Sequence, residues 1–343
     1  MNNIRVIYIG LHPDTLIYIN KAPFTVVAVS YLDFLAKPTF NPVNALFAFG
    51  YTLHTKKWSK VFVRAVFFLW NFFNFFSSDF YIRYGAYIKH IIENNILIIK
   101  ETDADTIEMA IRTYKIDIMV INSWSILSKK IINMPPLGTI NVHPSKLPKY
   151  RGALPTLWAL KNKDSSTAVS LIKLLPGIDD GPLLSQREFS ILTDDNAIDL
   201  EHKIDDILRE CLWDDLTKYV QKIKLPMPQS GESSATDKYM AYREINWEYE
   251  KAKDIINKIL LYPYIEPRLY VYTYVLGRRI HFKNAKLENI STLSHPGEFT
   301  FKKRFLYIKS ASESIRVRLF RDISILDSFF IMRNKKKLMA NVY

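Results

Sequence analysis

The chain has 343 residues, of which 48% are hydrophobic and 14% aromatic, so it is long enough for two folded domains and too apolar for a disordered chain. Its single cysteine, Cys211, excludes a disulfide framework, and the seven scattered histidines lack the spacing typical of zinc sites. The formal net charge of +13 is concentrated beyond residue 240, where 20 of the 47 lysines and arginines accompany only 10 of the 34 acidic residues.

An apolar strand is predicted at the amino terminus, over residues 4–9. A strand in this position is unlike a secretory signal peptide, and with the low cysteine content it favours a cytoplasmic protein. The following turn, Gly10-Leu11-His12-Pro13-Asp14, lacks the glycine fingerprint of dinucleotide-binding folds. A nicotinamide cofactor is therefore disfavoured.

Strand and helix patterns alternate over about the first 215 residues. Strands are predicted at 4–9, 24–29, 96–99, 116–121, 138–142 and 168–174, with helices at 80–94, 106–114 and 197–222. This alternation predicts a Rossmann-like α/β domain over residues 1–224, with a mostly parallel sheet and helices on both faces. Ligands of such sheets bind at the carboxyl ends of the strands.

An aromatic segment at 62–76 has polar residues at helical spacing and predicts an amphipathic helix with a wide apolar face. It falls short of the roughly 20 apolar residues that a membrane-spanning helix needs. Three places remain open for it: against the sheet or a partner subunit in a homodimer, on a membrane surface, or in a flap over the acceptor.

Three polar residues end two of the predicted strands. Asn141 and His143 share one face of strand 138–142, because side chains two apart on a strand point the same way. Pro144 stops that strand, and Asp179 follows the next one, 168–174. An amide, an imidazole and a carboxylate at neighbouring strand ends predict a catalytic site.

The motifs around these residues resemble those of the formyltetrahydrofolate-dependent formyltransferases. That family carries Asn-x-His, Ser-Leu-Leu-Pro, Arg-Gly, a downstream Pro, and an Asp within Gly-x-Asp-x-Gly. The matching elements here are Asn141, His143, Ser145-Lys146-Leu147-Pro148, Arg151-Gly152, Pro155 and Gly177-Ile178-Asp179-Asp180-Gly181. Lys146 replaces a usual Leu, and Asp180 replaces a small residue or Thr. Spacing favours Asp179 as the partner of His143.

The resemblance implies transfer of a formyl group from the co-substrate 10-formyltetrahydrofolate to a primary amine, with no metal. In that reaction His143 is the general base, Asp179 holds its ring, and Asn141 stabilises the oxyanion. The expected folate-binding residues are Asn122, Trp124, Ser145, Leu147, Pro148, Arg151, Gly152, Ile178 and Asp180. An equally good interpretation of Arg151 and Gly152 is that they only form the turn before the helix at 153–161. For Asn122 and Trp124, the alternative is that they simply lie where the chain passes from a strand into a loop.

A linker is predicted at 225–239, because this stretch is rich in Pro, Ser and Gly and has no periodic pattern of apolar residues. Beyond it, residues 240–343 predict a helix at 248–261 and strands at 268–275, 279–282, 298–301, 305–309 and 314–319. This arrangement is similar to the OB-like β-barrel domain of the tRNA-formylating members of the family, including the opening segment Ile245-Asn246-Trp247.

The identity of the acceptor amine divides the remaining interpretations. The basic second domain favours methionyl-tRNA, since OB-like barrels bind oligonucleotides, although the charge also suits phosphorylated metabolites, anionic lipid or plain solvent. Against tRNA, the turn at 10–13 differs from the one that tRNA-formylating relatives carry, and an aromatic stretch at 47–76 replaces their basic insertion. A nucleotide-linked amino deoxysugar for surface polysaccharide is therefore the favoured acceptor. A non-catalytic binding protein of the same fold is the third interpretation.

Overall fold

The computed structural model describes residues 3–10, 13–30, 90–91, 93–94, 96–99, 104–122, 127–236, 243–265, 271–275, 278–288, 290–302 and 305–319. Trp124 and the aromatic segment 62–76 lie outside these residues, as does most of the predicted helix 80–94. The chain divides into two compact units. The first comprises Met1–Arg151, Ala168–Phe189 and Lys203–Ser234, and the second comprises Gly152–Thr167, Ser190–His202 and Ala235–Tyr343.

A seven-stranded sheet forms the centre of the first unit, in the order β3-β2-β1-β4-β5-β6-β7. Its strands are β1 (Ile4–Gly10), β2 (Phe24–Ser30), β3 (Leu97–Ile99), β4 (Ile118–Asn122), β5 (Thr139–His143), β6 (Ser166–Lys173) and β7 (Leu183–Ser190). The first five strands run parallel, and β6 runs antiparallel to β5. The predicted mostly parallel sheet is therefore confirmed.

Four described helices lie between these strands in sequence: α1 (Pro13–Ile19), α2 (Ala104–Tyr114), α3 (Lys129–Ile132) and α4 (Pro155–Lys161). A fifth, α5 (Ala197–Val220), follows β7. Alternate residues of β1 enter two different cores, because successive strand side chains point to opposite faces. Val6 and Tyr8 pack in the core that includes residues of α1 and α5, whereas Ile7 and Ile9 pack in the core that includes residues of α2. Both faces of the sheet are thus covered, as the alternating pattern predicted.

Strand β7 is absent from the predicted elements. Apart from Phe189, only its first residues, Leu183 and Leu184, are apolar, and most of its second half is exposed, so no alternation marks it as a strand. Two predicted helices also begin later than expected. Leu154 has a left-handed φ of 53°, which delays α4 to Pro155. In the second unit, the Asn246 side chain accepts a hydrogen bond from the Glu248 backbone N–H and holds a turn there.

The second unit contains a five-stranded antiparallel sheet in the order β10-β11-β12-β9-β8. Its elements are α6 (Ala252–Ile265), β8 (Tyr272–Val275), β9 (Arg278–Leu287), β10 (Phe299–Lys302), β11 (Phe305–Lys309) and β12 (Ser314–Leu319). Ile255 and Ile259 of α6 pack in one core with Trp247, whose ring meets Phe282 edge-on at 6.0 Å. A strand is present in each of the five ranges predicted beyond the linker, 268–275, 279–282, 298–301, 305–309 and 314–319.

A salt bridge is fully buried in this second unit. Lys258 Nζ lies 2.8 Å from Glu250 Oε2, and the two side chains are 0% and 1% exposed. Glu250 Oε1 also accepts the backbone N–H of Asn246. The pair therefore joins α6 to the segment that precedes it, in a place where sequence patterns predict only apolar contacts.

Cys211 lies on α5, where its thiol donates to the Ile207 carbonyl. Burial, reinforced by the nearby Asp215 carboxylate, raises the pKa of this thiol from 9.0 to about 11. Since only the thiolate is nucleophilic, we expect iodoacetamide at pH 8 to alkylate the folded protein about 100-fold more slowly than a free thiol. The protein in guanidinium is the control, because its only cysteine should then react at the free-thiol rate. Equal rates in the two states would contradict the raised pKa.

Across the described ranges, none of the helices combines the length and the hydropathy that crossing a bilayer requires.

Candidate active site

The end of β5 brings the three predicted catalytic residues together. Asn141 Nδ2 donates to Asp179 Oδ1 at 3.1 Å, and His143 Nδ1 lies 3.4 Å from Asp179 Oδ2. Asn141 and His143 are two apart on the strand and so share a face. The carboxylate of Asp179 thus approaches both polar side chains of β5, one with each oxygen.

The ring of His143 is buried, and each of its two nitrogens has a polar neighbour. Its side chain is 5% exposed, and Nε2 lies 2.9 Å from the carbonyl oxygen of Tyr150. A carbonyl only accepts hydrogen bonds, so Nε2 carries a proton and donates it to Tyr150. Nδ1, the nitrogen beside Asp179, is therefore the one that holds the lone pair in neutral His143.

Asp179 lies in the loop that joins β6 to β7. Its φ of 47° is in the left-handed region, which an L-residue adopts only where its surroundings hold it there. Gly181 closes the same loop so tightly that a Cβ would collide with the carbonyl oxygen of Lys173. A glycine is thus required at this end of the loop, and the Gly-x-Asp-x-Gly motif has a structural reason.

Gln229 holds this loop from the segment that the sequence predicts as a linker. Its Nε2 donates to the carbonyl oxygens of Asp179 and Gly181, at 2.7 and 2.8 Å. Its Oε1 accepts from Arg151 Nη2 and Nε, at 2.7 and 3.2 Å. Sequence reasoning missed Gln229, because a lone polar residue in a Pro- and Ser-rich stretch carries no periodic signal.

Several predicted folate-binding residues make contacts within the fold. Asn122 is buried and donates from Nδ2 to Thr15 Oγ1 at 2.9 Å. The hydroxyl of Ser145 donates to the Lys149 carbonyl at 2.7 Å, which closes the turn after β5. Leu147 is 2% exposed and precedes a cis peptide bond to Pro148, which is also buried. A role in folate binding stays a prediction for all four.

The other predicted binding residues are more accessible. Ile178 is 60% exposed, and Asp180 is exposed as well. Arg151 is partly buried against Gln229. Gly152, in the second unit, has a φ of 106° and lies so close to Thr236 that a Cβ would meet its hydroxyl oxygen at 2.6 Å. Trp124 is outside the described residues.

In the part of the chain that the structure describes, no three His, Cys, Asp or Glu side chains lie close enough together to hold a metal ion.

The sequence model of the formyl transferase family matches residues 88–215, which include Asn141, His143 and Asp179. That segment, 128 of the 343 residues, carries the sequence likeness to the family. The predicted resemblance to the formyltransferases is therefore confirmed.

Among individual proteins, the chain is similar to methionyl-tRNA formyltransferase of Thermodesulfovibrio yellowstonii, with 33% identity over 203 residues, or 59% of this chain and 64% of that protein. Eight such relatives are matched over only 39% to 64% of their own length.

Two solved structures share the fold. An HypX variant from Aquifex aeolicus has a TM-score of 0.54 at 15% identity, covering 92% of this chain and 44% of that one. The sugar 3N-formyl transferase WlaRD has a TM-score of 0.51 at 17% identity, covering 94% of this chain and 100% of that one. At these identities the likeness is one of fold.

Proposed function

We propose that this protein is an N-formyltransferase, which moves the formyl group of 10-formyltetrahydrofolate to a primary amine. The observation that carries the proposal is the Asp179 carboxylate, which accepts from Asn141 and faces His143 at the carboxyl end of β5. The match of residues 88–215 to the formyl transferase family supports the same reaction.

The proton of the attacking amine goes to His143. The amine is nucleophilic only when neutral, so it must lose a proton as its nitrogen bonds to the formyl carbon and the bond from that carbon to the folate nitrogen breaks. Nδ1 is the basic nitrogen, because Nε2–H is donated to Tyr150. Asp179 then faces an imidazolium and stabilises it, since a close opposite charge favours the charged form. The same proton can pass on to the departing folate nitrogen.

Asn141 stabilises the negative charge that grows on the formyl oxygen. A primary amide has two N–H donors, and one of them is already given to Asp179. The second is left for the oxygen. Removal of one such donor typically lowers turnover by about 10²–10³-fold.

The loop that carries Asp179 also suits a folate. Ile178 leaves an apolar side chain 60% exposed beside the catalytic carboxylate, where it can pack against the flat face of a folate ring. When bound, the folate supplies an activated one-carbon unit. The proposed binding residues remain those predicted from the sequence. Of the two large apolar side chains exposed in the loop, Leu175 at 44% and Ile178 at 60%, Ile178 is the more exposed.

A nucleotide-linked amino deoxysugar is the acceptor that we propose. Its support is the turn at 10–13, which differs from that of tRNA-formylating relatives, and the fold shared with WlaRD over 94% of this chain. WlaRD is a sugar 3N-formyl transferase whose structure was solved in the presence of dTDP and 5-N-formyl-THF. We further propose a cytoplasmic protein with a catalytic domain at 1–224, a linker at 225–239 and an OB-like domain at 240–343.

A second candidate acceptor is methionyl-tRNA. It is favoured by the 33% identity to the Thermodesulfovibrio yellowstonii enzyme and by the basic surplus beyond residue 240. That surplus suits a polyanion, because lysine and arginine bind phosphates with release of counterions.

Acceptor choice is tested by supplying 10-formyltetrahydrofolate with either a dTDP-linked 3- or 4-amino deoxysugar or charged initiator tRNA. We expect mass spectrometry to show the amino sugar gaining one formyl group, while the matching sugar without an amine gains none. Formylation of the tRNA alone would overturn the sugar proposal and leave the transferase proposal standing. If neither acceptor nor any other amine tested is formylated, the transferase proposal fails and the non-catalytic interpretation is favoured in its place.

A further inference from the structure

We propose that Gln229 is a positioning residue for formyl transfer, acting through Asp179; this inference rests on the proposed function. Gln229 follows α5 in a stretch where its neighbours Pro228 and Ser230 are exposed, but its own side chain is partly buried. It therefore turns inward, toward the loop between β6 and β7.

Every hydrogen-bonding group of the Gln229 amide has a partner. The two N–H groups go to the carbonyl oxygens of Asp179 and Gly181, and the oxygen accepts two N–H groups of Arg151. Only the NH₂ end of an amide can donate to two carbonyls, so these partners fix which way the amide points. The positive guanidinium on Oε1 also polarises the amide, which strengthens the two bonds to the loop.

These hydrogen bonds hold the backbone of Asp179, the residue that carries the catalytic carboxylate. Asp179 holds a left-handed φ of 47°, and such a conformation persists only where the surrounding structure over-determines it. Gln229 binds the carbonyl of that same residue and of the glycine two positions on. The Asp179 side chain can reach Asn141 and His143 only from this backbone, so Gln229 sets the position of the carboxylate.

The test variant is Gln229→Glu, which keeps the length and the oxygen that Arg151 binds. It replaces the two N–H donors with an oxygen that faces two carbonyl oxygens. We expect kcat for formyl transfer to fall about 100-fold, because a misplacement of about 1 Å can have this effect. We also expect faster hydrogen exchange in residues 174–182 and unchanged exchange in β5. Gln221→Glu, the same change at an exposed glutamine after α5, should leave both quantities unaltered.

A double-variant cycle separates positioning from general loss of structure. If Gln229 acts through Asp179, then Gln229→Glu should cause little further loss in a protein that already carries Asp179→Asn. Losses that multiply would overturn the inference, as would an unchanged kcat in the single variant. If Gln229→Glu does not fold, Gln229→Met, which has similar length and no donors, is put through the same cycle.

The exchange measurement does not depend on activity. If the unaltered protein transfers no formyl group, the proposed function fails, and the exchange of residues 174–182 still decides whether Gln229 holds the loop that carries Asp179. Unchanged exchange there in both Gln229 variants overturns that role. Faster exchange confined to that loop supports it.

Discussion

Replacing His143 with glutamine is expected to lower the rate of formyl transfer by about 10²–10⁴-fold, the usual contribution of a general base. Glutamine can still donate an N–H to the Tyr150 carbonyl, so the buried acceptor stays satisfied. It offers no basic nitrogen beside Asp179 Oδ2, where His143 Nδ1 lies at 3.4 Å. Single-turnover rates with saturating co-substrate measure the effect on the chemical step.

Two further variants help to interpret that result. His143→Ala should lose as much activity, and it also leaves the Tyr150 carbonyl without its donor, which we expect to destabilise the fold by about 1–3 kcal/mol. His202→Ala, at an exposed histidine of α5, is the control and should keep full activity. A transfer rate for His143→Gln within about threefold of the unaltered protein would remove His143 from the mechanism, since general-base catalysis contributes far more.

Lys258→Met is expected to destabilise the second unit by about 3–5 kcal/mol, because it leaves the buried Glu250 carboxylate without its counter-charge. Both side chains are 1% exposed or less, so water cannot replace the missing ammonium. Hydrogen exchange of α6 and β9 reports on this unit separately from the rest of the chain. Their amides should exchange much faster in the variant.

The matched control is Lys253→Met, the same change at an exposed lysine of α6. Surface substitutions of this kind usually change stability by less than about 0.5 kcal/mol. The double variant Lys258→Met with Glu250→Gln should recover part of the loss, since the introduced amide is neutral and can still accept the Asn246 N–H. The prediction is falsified if Lys258→Met and Lys253→Met show the same exchange in α6 and β9.

Apolar periodicity was sufficient to predict much of the fold. Strands such as β1 and β4 are buried along most of their length, so their sequences are nearly continuous runs of Ile, Val and Met. β7 was not predicted, because its exposed half is mostly polar and lacks the alternation of apolar and polar residues that indicates a strand. The buried Lys258–Glu250 pair was not predicted for a related reason. A charged residue in a sequence usually indicates a solvent-exposed position, and only the packed structure shows that these two are buried.

Part of the candidate site could likewise be predicted from the sequence, and part could not. Asn141, His143 and Asp179 stand in recognisable motifs, and the structure brings them together, although their chemical roles stay predictions. Contacts made through the backbone leave no trace in a sequence. The carbonyl of Tyr150 fixes the proton of His143, and any residue type could supply it. Gln229 could not be predicted, because its contacts are with two backbone carbonyl oxygens of a loop that is distant in sequence.

The sheet order has a consequence for biosynthesis. β1 lies between β2 and β4, and the Arg5 backbone N–H donates to an Asp117 side chain 112 residues farther along the chain. At about 5–20 residues per second, a ribosome needs roughly 6–20 seconds to make the intervening chain. During that interval one edge of β1, with its unpaired backbone N–H and C=O groups, has no neighbouring strand, which makes it a target for chaperones and for aggregation. Expression of this protein should therefore depend on translation speed and chaperone supply before any question of catalysis arises.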